Sequence, residues 1–177
     1  MQNNTTADAY FGRALTRPPQ AIAQLAGDAA HPWLWGIVRF YQLAKGVLLC
    51  AHFTGLPVGT GICRTRVFGL HIHEQGDCSG NPPDPFANTK GHYNPSGCAH
   101  PAHAGDLPPL IADNGRAWFA FYTDRFSVRE ILGRSVVVHA ERDDFTTQPS
   151  GNSGSKIGCG IIQRADASRI CGSQHIL

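Results

Sequence analysis

Over most of this chain the apolar residues recur with a period of two, which is the spacing of side chains on one face of a β-strand. Val67–His73, Ala117–Tyr122 and Ser135–His139 alternate in this way. Two further β-rich runs, Ile37–Tyr41 and Val47–Phe53, are separated by a short segment typical of a hairpin turn. Short strands joined by turns, with no amphipathic helix of three turns among them, predict an all-β antiparallel sandwich or barrel.

The chain length of 177 residues predicts one domain with short extensions. We assign residues 1–19 to an N-terminal extension, with one short helix around Ala7–Leu15, residues 20–163 to the domain, and residues 164–177 to a C-terminal tail. Two polar segments, Glu74–Leu110 and Ala140–Ile157, lack strand periodicity. Such long connections inside a compact domain are usually functional, so we predict two functional loops.

Composition excludes several classes of function. The formal net charge of +2 is too close to balance for a nucleic-acid-binding protein. No run of about 18 apolar residues occurs, so we predict no membrane span. The polar segment Met1–Ala7 does not resemble a secretory leader, so we expect a cytoplasmic location by default, with export as the alternative.

The distribution of metal-binding residue types favours histidine over cysteine. The six cysteines include no Cys-x-x-Cys pair and are too few for a small disulfide-stapled fold. Six of the nine histidines, by contrast, lie between His71 and His139. We interpret His31, His52 and His175 as ordinary histidines without partners.

Three of the clustered histidines fall on predicted strands. In Leu70-His71-Ile72-His73 the two apolar side chains point into the core, and the two imidazoles share the other face, about 7 Å apart. His139 ends a similar strand. A lone strand histidine is usually a half-buried structural residue, but three of them beside a histidine-rich loop indicate a metal site.

The first long loop supplies the remaining candidate ligands. His100, His103 and Asp106 form a His-x-x-His-x-x-Asp set, and with His92 they offer three nitrogens and one carboxylate, which suits tetrahedral Zn²⁺. An all-imidazole set suits Cu²⁺, and its members would be His71, His73, His92 and His139. His92 belongs to both sets, since one imidazole can offer a ring nitrogen to each of two ions.

At this point the chain resembles a known family, the copper,zinc superoxide dismutases, including its bacterial members. The resemblance covers roughly Ala21–Gln163 and rests on five ordered motifs: Gly-Leu-His-Ile-His-Glu, Gly-His-Tyr-Asn-Pro, His-Pro-Ala-His-Ala-Gly-Asp-Leu, Val-Val-His-Ala-Glu-Arg-Asp-Asp and Gly-Asn-Ser-Gly-Ser-Lys-Ile-Gly-Cys-Gly. It implies a Greek-key antiparallel barrel of about eight strands. It also implies an enzyme that disproportionates superoxide to dioxygen and hydrogen peroxide at a histidine-bridged copper and zinc site.

The resemblance carries residue roles with it. It places the copper ligands at His71, His73, His92 and His139 and the zinc ligands at His92, His100, His103 and Asp106. It makes His92 a catalytic residue that carries a proton while copper cycles between two oxidation states. It also makes Asp143 the carboxylate that orients one ligand of each metal.

Two further positions match the family in part. Cys78 and Cys159 fall on its intrasubunit disulfide, although two buried free thiols remain the alternative in a reducing compartment. Lys156 stands where the family usually has an arginine that attracts superoxide. Lysine supplies the charge without the forked donor pair, and the alternative is a solvated loop lysine.

Two other functions stay open at the level of sequence. One is a non-catalytic copper- and zinc-binding domain on the same scaffold. The other is a zinc hydrolase, which would need an open zinc position that the four-ligand set does not provide. A homodimer is a further option. Turnover, oligomeric state and the roles of the extensions and of Cys50, Cys63, Cys98 and Cys171 do not follow from the sequence.

Overall fold

The structure, a computed structural model, describes residues 7–62 and 64–166. That part of the chain contains two short α-helices, one 3-10 turn and nine strands. The helices are α1 (Ala7–Leu15) and α2 (Val128–Ile131), and the 3-10 turn spans Ala87–Thr89. The strands are β1 (Ala21–Gly27), β2 (Trp35–Leu43), β3 (Gly46–Thr54), β4 (Arg66–Phe68), β5 (Leu70–His73), β6 (Leu110–Ala112), β7 (Ala117–Thr123), β8 (Ser135–His139) and β9 (Lys156–Arg164).

Seven strands form one antiparallel sheet in the order β5-β8-β9-β1-β2-β3-β7, and β4 pairs with β6. The hairpin between β2 and β3 closes with Leu43 opposite Gly46. The predicted all-β antiparallel fold is therefore confirmed. The two long segments expected to be loops connect β5 to β6 and β8 to β9.

The strand predicted over Val67–His73 is in fact two strands, β4 and β5. Phe68 in β4 pairs with Leu110, whereas Leu70 in β5 pairs with Val138. Gly69, between them, turns the chain from one sheet to the other. Alternation of side chains continues through the break, so the sequence pattern did not reveal it.

The main core is formed by the inward face of the sheet, and its largest fully buried side chains include Phe40, Phe53 and Phe68. The predicted helix α1 is confirmed, and its Ala14 packs on the outer face of the sheet against Tyr41 and Leu48. None of the helices in the described ranges is long and apolar enough to cross a membrane.

Candidate metal centre

Three of the predicted ligands are carried by neighbouring strands. His71 lies opposite Val137 and His73 opposite Ser135 in the β5–β8 ladder, and His139 ends β8. Leu70 and Ile72, which alternate with these histidines, join the core cluster. The ladder brings His73 Nε2 to 3.2 Å from His139 Nε2. Three imidazoles therefore meet on one face of a rigid sheet.

The loop between β5 and β6 folds back over that face. Isolated β-bridges pair His73 with His92 and His71 with Asp106. The bridges are supported by two backbone hydrogen bonds of 2.8 Å: the Tyr93 N–H donates to the Ile72 carbonyl, and the Ile72 N–H donates to the Gly105 carbonyl. The loop backbone is thus extended beside β5 at two points, and its histidines face those of the strand.

These contacts create two groups of four potential ligand atoms, each group lying within 4.8 Å of one another. All seven residues are buried, and one of them, His92, is common to both groups. The first group is His71, His73, His92 and His139, and the second is His92, His100, His103 and Asp106. The structure therefore brings together every ligand that the sequence predicted, in the predicted sets.

The donor atoms in these groups fit metal ions. Buried polar nitrogens normally have a hydrogen-bond partner, because leaving one without a partner costs about 1–3 kcal/mol. Among the described residues, the buried side-chain atoms without a hydrogen-bond partner are His71 Nδ1, His92 Nε2 and His100 Nδ1, the last of which lies 3.1 Å from Asp106 Oδ2 in its own group. One lies in the first group, one in the second and one on the shared histidine, and each is available as a ligand.

Asp143 connects the two ligand groups through hydrogen bonds with one histidine of each. Its Oδ2 lies 2.8 Å from His71 Nε2, and its Oδ1 lies 2.9 Å from His100 Nε2. Burial alone would raise the pKa of Asp143, but the hydrogen bonds with both histidines lower it to about 2. Gly151 has φ of +67°, and a Cβ there would overlap Asp143 Oδ1. The absence of a side chain at Gly151 therefore lets the second loop pass close to the Asp143 carboxylate.

The strand-borne histidines are held in the neutral form that binds metal. Burial, together with the neighbouring His71, lowers the pKa of His139 to about 3. Burial also lowers the pKa of His71 and brings that of His73 well below its ordinary value. A neutral imidazole keeps its lone pair for a metal ion, so these shifts favour ligation.

The predicted anion-guiding residue, Lys156, lies at the edge of a cavity of about 410 Å³. His73, His92 and His139 also line this cavity, so it leads to the first ligand group. The Lys156 ammonium is not free, because Nζ donates to Asp84 Oδ2 at 2.8 Å and to the Phe86 carbonyl at 3.1 Å. The carboxylate of Asp84 was not anticipated from the sequence.

Other residues that hold the ligands in place gave no sequence signal. The Gln148 side chain accepts from the His100 N–H at 2.9 Å and donates to the His100 carbonyl at 2.7 Å. Arg134 donates to the Glu74 carbonyl at 2.8 Å, and its guanidinium lies 3.8 Å from the centre of the Tyr93 ring. Each pair is joined across at least 41 residues of sequence, which no local pattern predicts.

The predicted disulfide between Cys78 and Cys159 is present, with the two Cα atoms 5.7 Å apart. Cys159 lies on β9 and Cys78 in the first long loop, so the bond fastens that loop to the sheet. The alternative of two free thiols is therefore wrong. Val137 and Phe86 pack around the bond in a small apolar cluster.

Two of the histidines expected to lack partners have them. His31 Nδ1 lies 2.7 Å from Asp28 Oδ1, and the His52 ring meets Trp35 edge-on. Cys50 is buried with a free thiol, and Cys98 is free and exposed, outside both ligand groups. Cys63, Cys171 and His175 lie outside the described residues.

Comparisons with known proteins agree with this geometry. The sequence profile of the family described as "Copper/zinc superoxide dismutase (SODC)" matches residues 34–162. A protein named superoxide dismutase [Cu-Zn] from Paramecium bursaria Chlorella virus 1 is 34% identical over 164 residues, covering 84% of this chain and 80% of the viral one. The human copper chaperone for superoxide dismutase is 33% identical over 82% of this chain and 53% of its own.

A solved structure is also similar. The crystal structure of a double mutant of a superoxide-dismutase-like protein from Bacillus subtilis superposes with a TM-score of 0.65 at 28% identity. The match covers 80% of this chain and 96% of the other.

Proposed function

This chain belongs to the copper/zinc superoxide dismutase family, and from that premise we propose that it disproportionates superoxide to dioxygen and hydrogen peroxide. The observation that carries the proposal is His92, one buried imidazole shared by two groups of four ligands. The family and the donor sets make copper and zinc its metals.

We assign copper to the group of four imidazoles and zinc to the group with the carboxylate. Imidazole nitrogens in a tetragonal set suit Cu²⁺, while three imidazoles and one carboxylate make a closed set for Zn²⁺. The copper ligands are His71, His73, His92 and His139, and the zinc ligands are His92, His100, His103 and Asp106. Because the zinc set is complete with four protein ligands, it leaves no open position for hydrolysis.

When bound, copper supplies one-electron redox chemistry, by which one superoxide is oxidised and a second is reduced, and zinc supplies a fixed positive charge. The overall reaction takes two superoxide anions and two protons to one dioxygen and one hydrogen peroxide. We assign delivery of a proton to His92 Nε2, which lacks a hydrogen-bond partner and belongs to a residue lining the cavity. Asp143 fixes the ring planes of His71 and His100 by accepting at their other nitrogens.

Substrate access depends on the cavity beside the copper group. Superoxide is a small anion, so attraction by charge matters more than recognition of shape. Lys156 supplies positive charge at this cavity, and we propose it as the guiding cation although Asp84 offsets part of that charge.

A copper-handling domain without turnover is the second candidate, and the similarity to the human copper chaperone favours it. The chain spans about half of that protein's length. A chaperone must release copper to an acceptor. Here all four copper ligands are buried, which supports retention of copper.

The test measures copper content, zinc content and superoxide consumption on the same preparations of wild type, His139→Ala and His31→Ala. We expect one copper and one zinc per chain in the wild type. Removing His139 should eliminate copper, keep zinc and lower activity by at least about 100-fold, beyond the range for residues that only support a ligand. The His31 variant should match the wild type. A copper-loaded wild type that consumes no superoxide but transfers copper to a metal-free acceptor would establish the second candidate instead.

Three finer predictions accompany the proposal. We propose residues 20–163 as the dismutase domain, with residues 1–19 and 164–177 as extensions. We also propose a homodimer, which sedimentation equilibrium would test. We propose a cytoplasmic location, with export as the alternative, and fractionation of the source cells would decide between them. One relative, from rat, is named extracellular superoxide dismutase.

A further inference from the structure

Arg125 lies two residues beyond the end of β7 and reaches across to the loop that carries the zinc group. Its Nη1 donates to the His103 carbonyl at 3.0 Å, and its Nη2 donates to the Asp106 carbonyl. Both acceptors belong to proposed zinc ligands. One guanidinium therefore holds the backbone of two ligands at once.

The segment between those carbonyls is a tight turn. The Asp106 N–H donates to the His103 carbonyl at 3.2 Å, and the His103 N–H donates to Asp106 Oδ2 at 3.0 Å. Arg125 joins the first and last residues of this turn from outside. The spacing between the His103 and Asp106 side chains depends on the turn, so a group that fixes both ends also fixes their relative position.

The arginine is itself anchored before it meets the loop. Its backbone N–H and its Nε both donate to Thr123 Oγ1 at 3.2 Å, and Thr123 is the buried last residue of β7. Its guanidinium also lies 6.0 Å from the centre of the Phe121 ring on the same strand. The loop is thereby connected to the edge of the seven-stranded sheet.

Arginine suits this task better than lysine does. Its planar fork presents two donors in a fixed geometry, whereas an ammonium is a compact charge on a flexible stem. Two carbonyl oxygens at opposite ends of one turn match the fork.

We propose that Arg125 is a positioning residue for zinc: it clamps the His103–Asp106 turn so that the ligands keep their spacing as the ion binds and leaves. The inference rests on the zinc assignment in the proposed function. It makes a residue outside the ligand set, and outside the family motifs quoted above, responsible for part of the zinc retention.

The experiment compares Arg125→Met and Arg125→Lys with Arg129→Met as the matched control, since Arg129 is an exposed arginine on the adjacent helix α2. Zinc release into a chelator is followed below the unfolding temperature of every variant. Arg125→Met should release zinc about 10-fold faster than wild type, the lower end of the range for residues that support a ligand. Arg125→Lys should recover only part of the loss, and Arg129→Met should match wild type.

A spectroscopic measurement separates positioning from general stability. Co²⁺ placed in the zinc group should show altered ligand-field bands in Arg125→Met, while copper content stays equal in all variants. Unchanged bands and unchanged zinc release in Arg125→Met would overturn the inference, even if the variant unfolded at a lower temperature. Full recovery by lysine would also overturn it, because charge rather than the fork would then be responsible.

Asp106→Ala serves as the reference for the underlying assignment. If that variant retains zinc as wild type does, the proposed zinc set is wrong and the role of Arg125 fails with it. If Asp106→Ala loses zinc and Arg125→Met does not, the zinc set stands and only the role of Arg125 is wrong.

Discussion

The two ligand groups are built in different ways. The copper group takes three of its histidines from β5 and β8, where the ladder fixes the backbone and the core holds the alternating residues. The zinc group takes all its members from a loop that forms no ladder and only isolated bridges, two of which pair it with β5. The first group is therefore preorganised by the fold, and the second depends on cross-links from other parts of the chain.

Four cross-links hold the zinc group, and they come from three other parts of the chain. Asp143 and Gln148, from the second loop, hold His100 through its side chain and its backbone. Arg125, just beyond the end of β7, holds the other end of the segment. The disulfide from Cys78 fastens the start of the loop to β9. Loss of Gln148, Arg125 or the disulfide should affect zinc before copper, whereas loss of Asp143 should affect both groups, because it also bonds His71.

The largest effect is expected on the pH dependence of stability, and it tests the strand-borne histidines of the copper group. As pH falls from about 6.5 toward 3, the metal-free protein should lose stability steeply. Burial, with the neighbouring His71, lowers the pKa of His139 to about 3 and also lowers those of His71 and His73. The unfolded chain therefore binds protons that the folded sheet excludes. Acid thus favours unfolding by about 1.4 kcal/mol per pH unit for His139 between its unfolded and folded pKa values, and His71 and His73 act in the same direction.

Urea unfolding across this pH range, on metal-free wild type and His139→Gln, provides the measurement. The variant has one titrating group fewer, so its free energy of unfolding should change less steeply with pH, by about 1.4 kcal/mol per unit. Equal slopes would show that the strand histidines are accessible to protons in the folded state. The contrast between the two ligand groups would then disappear.

Removing the disulfide should produce the next largest effect. In the double variant Cys78→Ser with Cys159→Ser, a bond joining residues 81 apart is lost. On the chain-entropy model this costs about 4–5 kcal/mol of unfolding free energy. Cys98→Ser is the control, because that thiol is free and exposed, and it should change stability by less than about 0.5 kcal/mol. A double variant within 1 kcal/mol of wild type, roughly the scale of one hydrogen bond, would contradict a stabilising role for the bond.

The difference between strand-borne and loop-borne ligands also explains how much could be predicted from the sequence. Alternation around His71, His73 and His139 is a local pattern, so it indicated both the strands and the face that carries ligands. The spacing of His100, His103 and Asp106 indicated a metal set by donor chemistry alone. The break at Gly69 was missed because alternation continues across it. The pattern therefore predicted one strand where the structure has two, β4 and β5.

The supporting residues could not be predicted from the sequence for a physical reason. Gln148 lies 48 residues from His100, and Asp84 lies 72 residues from Lys156. Such pairs form only after the sheet has brought two loops together, so neither residue type nor spacing reveals them. Asp143 was found only through resemblance to a family, since a lone aspartate in a polar loop is otherwise unremarkable.

A smaller effect is expected from Asp106→Ala, which tests the zinc group and its dependence on loop contacts. The variant should lose zinc affinity by more than about 100-fold, beyond the range for residues that only support a ligand, and leave copper binding nearly unchanged. Because bound zinc contributes directly to order in its loop, amide hydrogen exchange should accelerate in Glu74–Leu110 and stay constant in β5 and β8. Zinc retention equal to wild type during dialysis against a mild chelator would exclude the loop set as the zinc site.

The smallest effect is expected at Lys156, the first residue of β9, which lines the cavity beside the copper group. Lys156→Ala should lower the catalytic rate constant by less than about tenfold, at the low end of the range for electrostatic steering. The effect is small because Asp84 lies 2.8 Å from the ammonium and offsets its field. Asp84→Asn is the matched variant, and it should raise the rate, because the lysine charge then acts on the substrate without an opposing carboxylate.

Lys156→Arg should also raise the catalytic rate constant, because arginine has more hydrogen-bond donors than lysine. An ammonium has three donors, and two of them are used by Asp84 and the Phe86 carbonyl. A guanidinium has five donors, so it can keep both bonds and still present donors to an approaching anion. All of these differences should shrink as salt rises, since the Debye length is about 8 Å at physiological ionic strength. Copper content should be equal in the four proteins, and an alanine variant as fast as wild type at low salt would make Lys156 an anchor for its loop only.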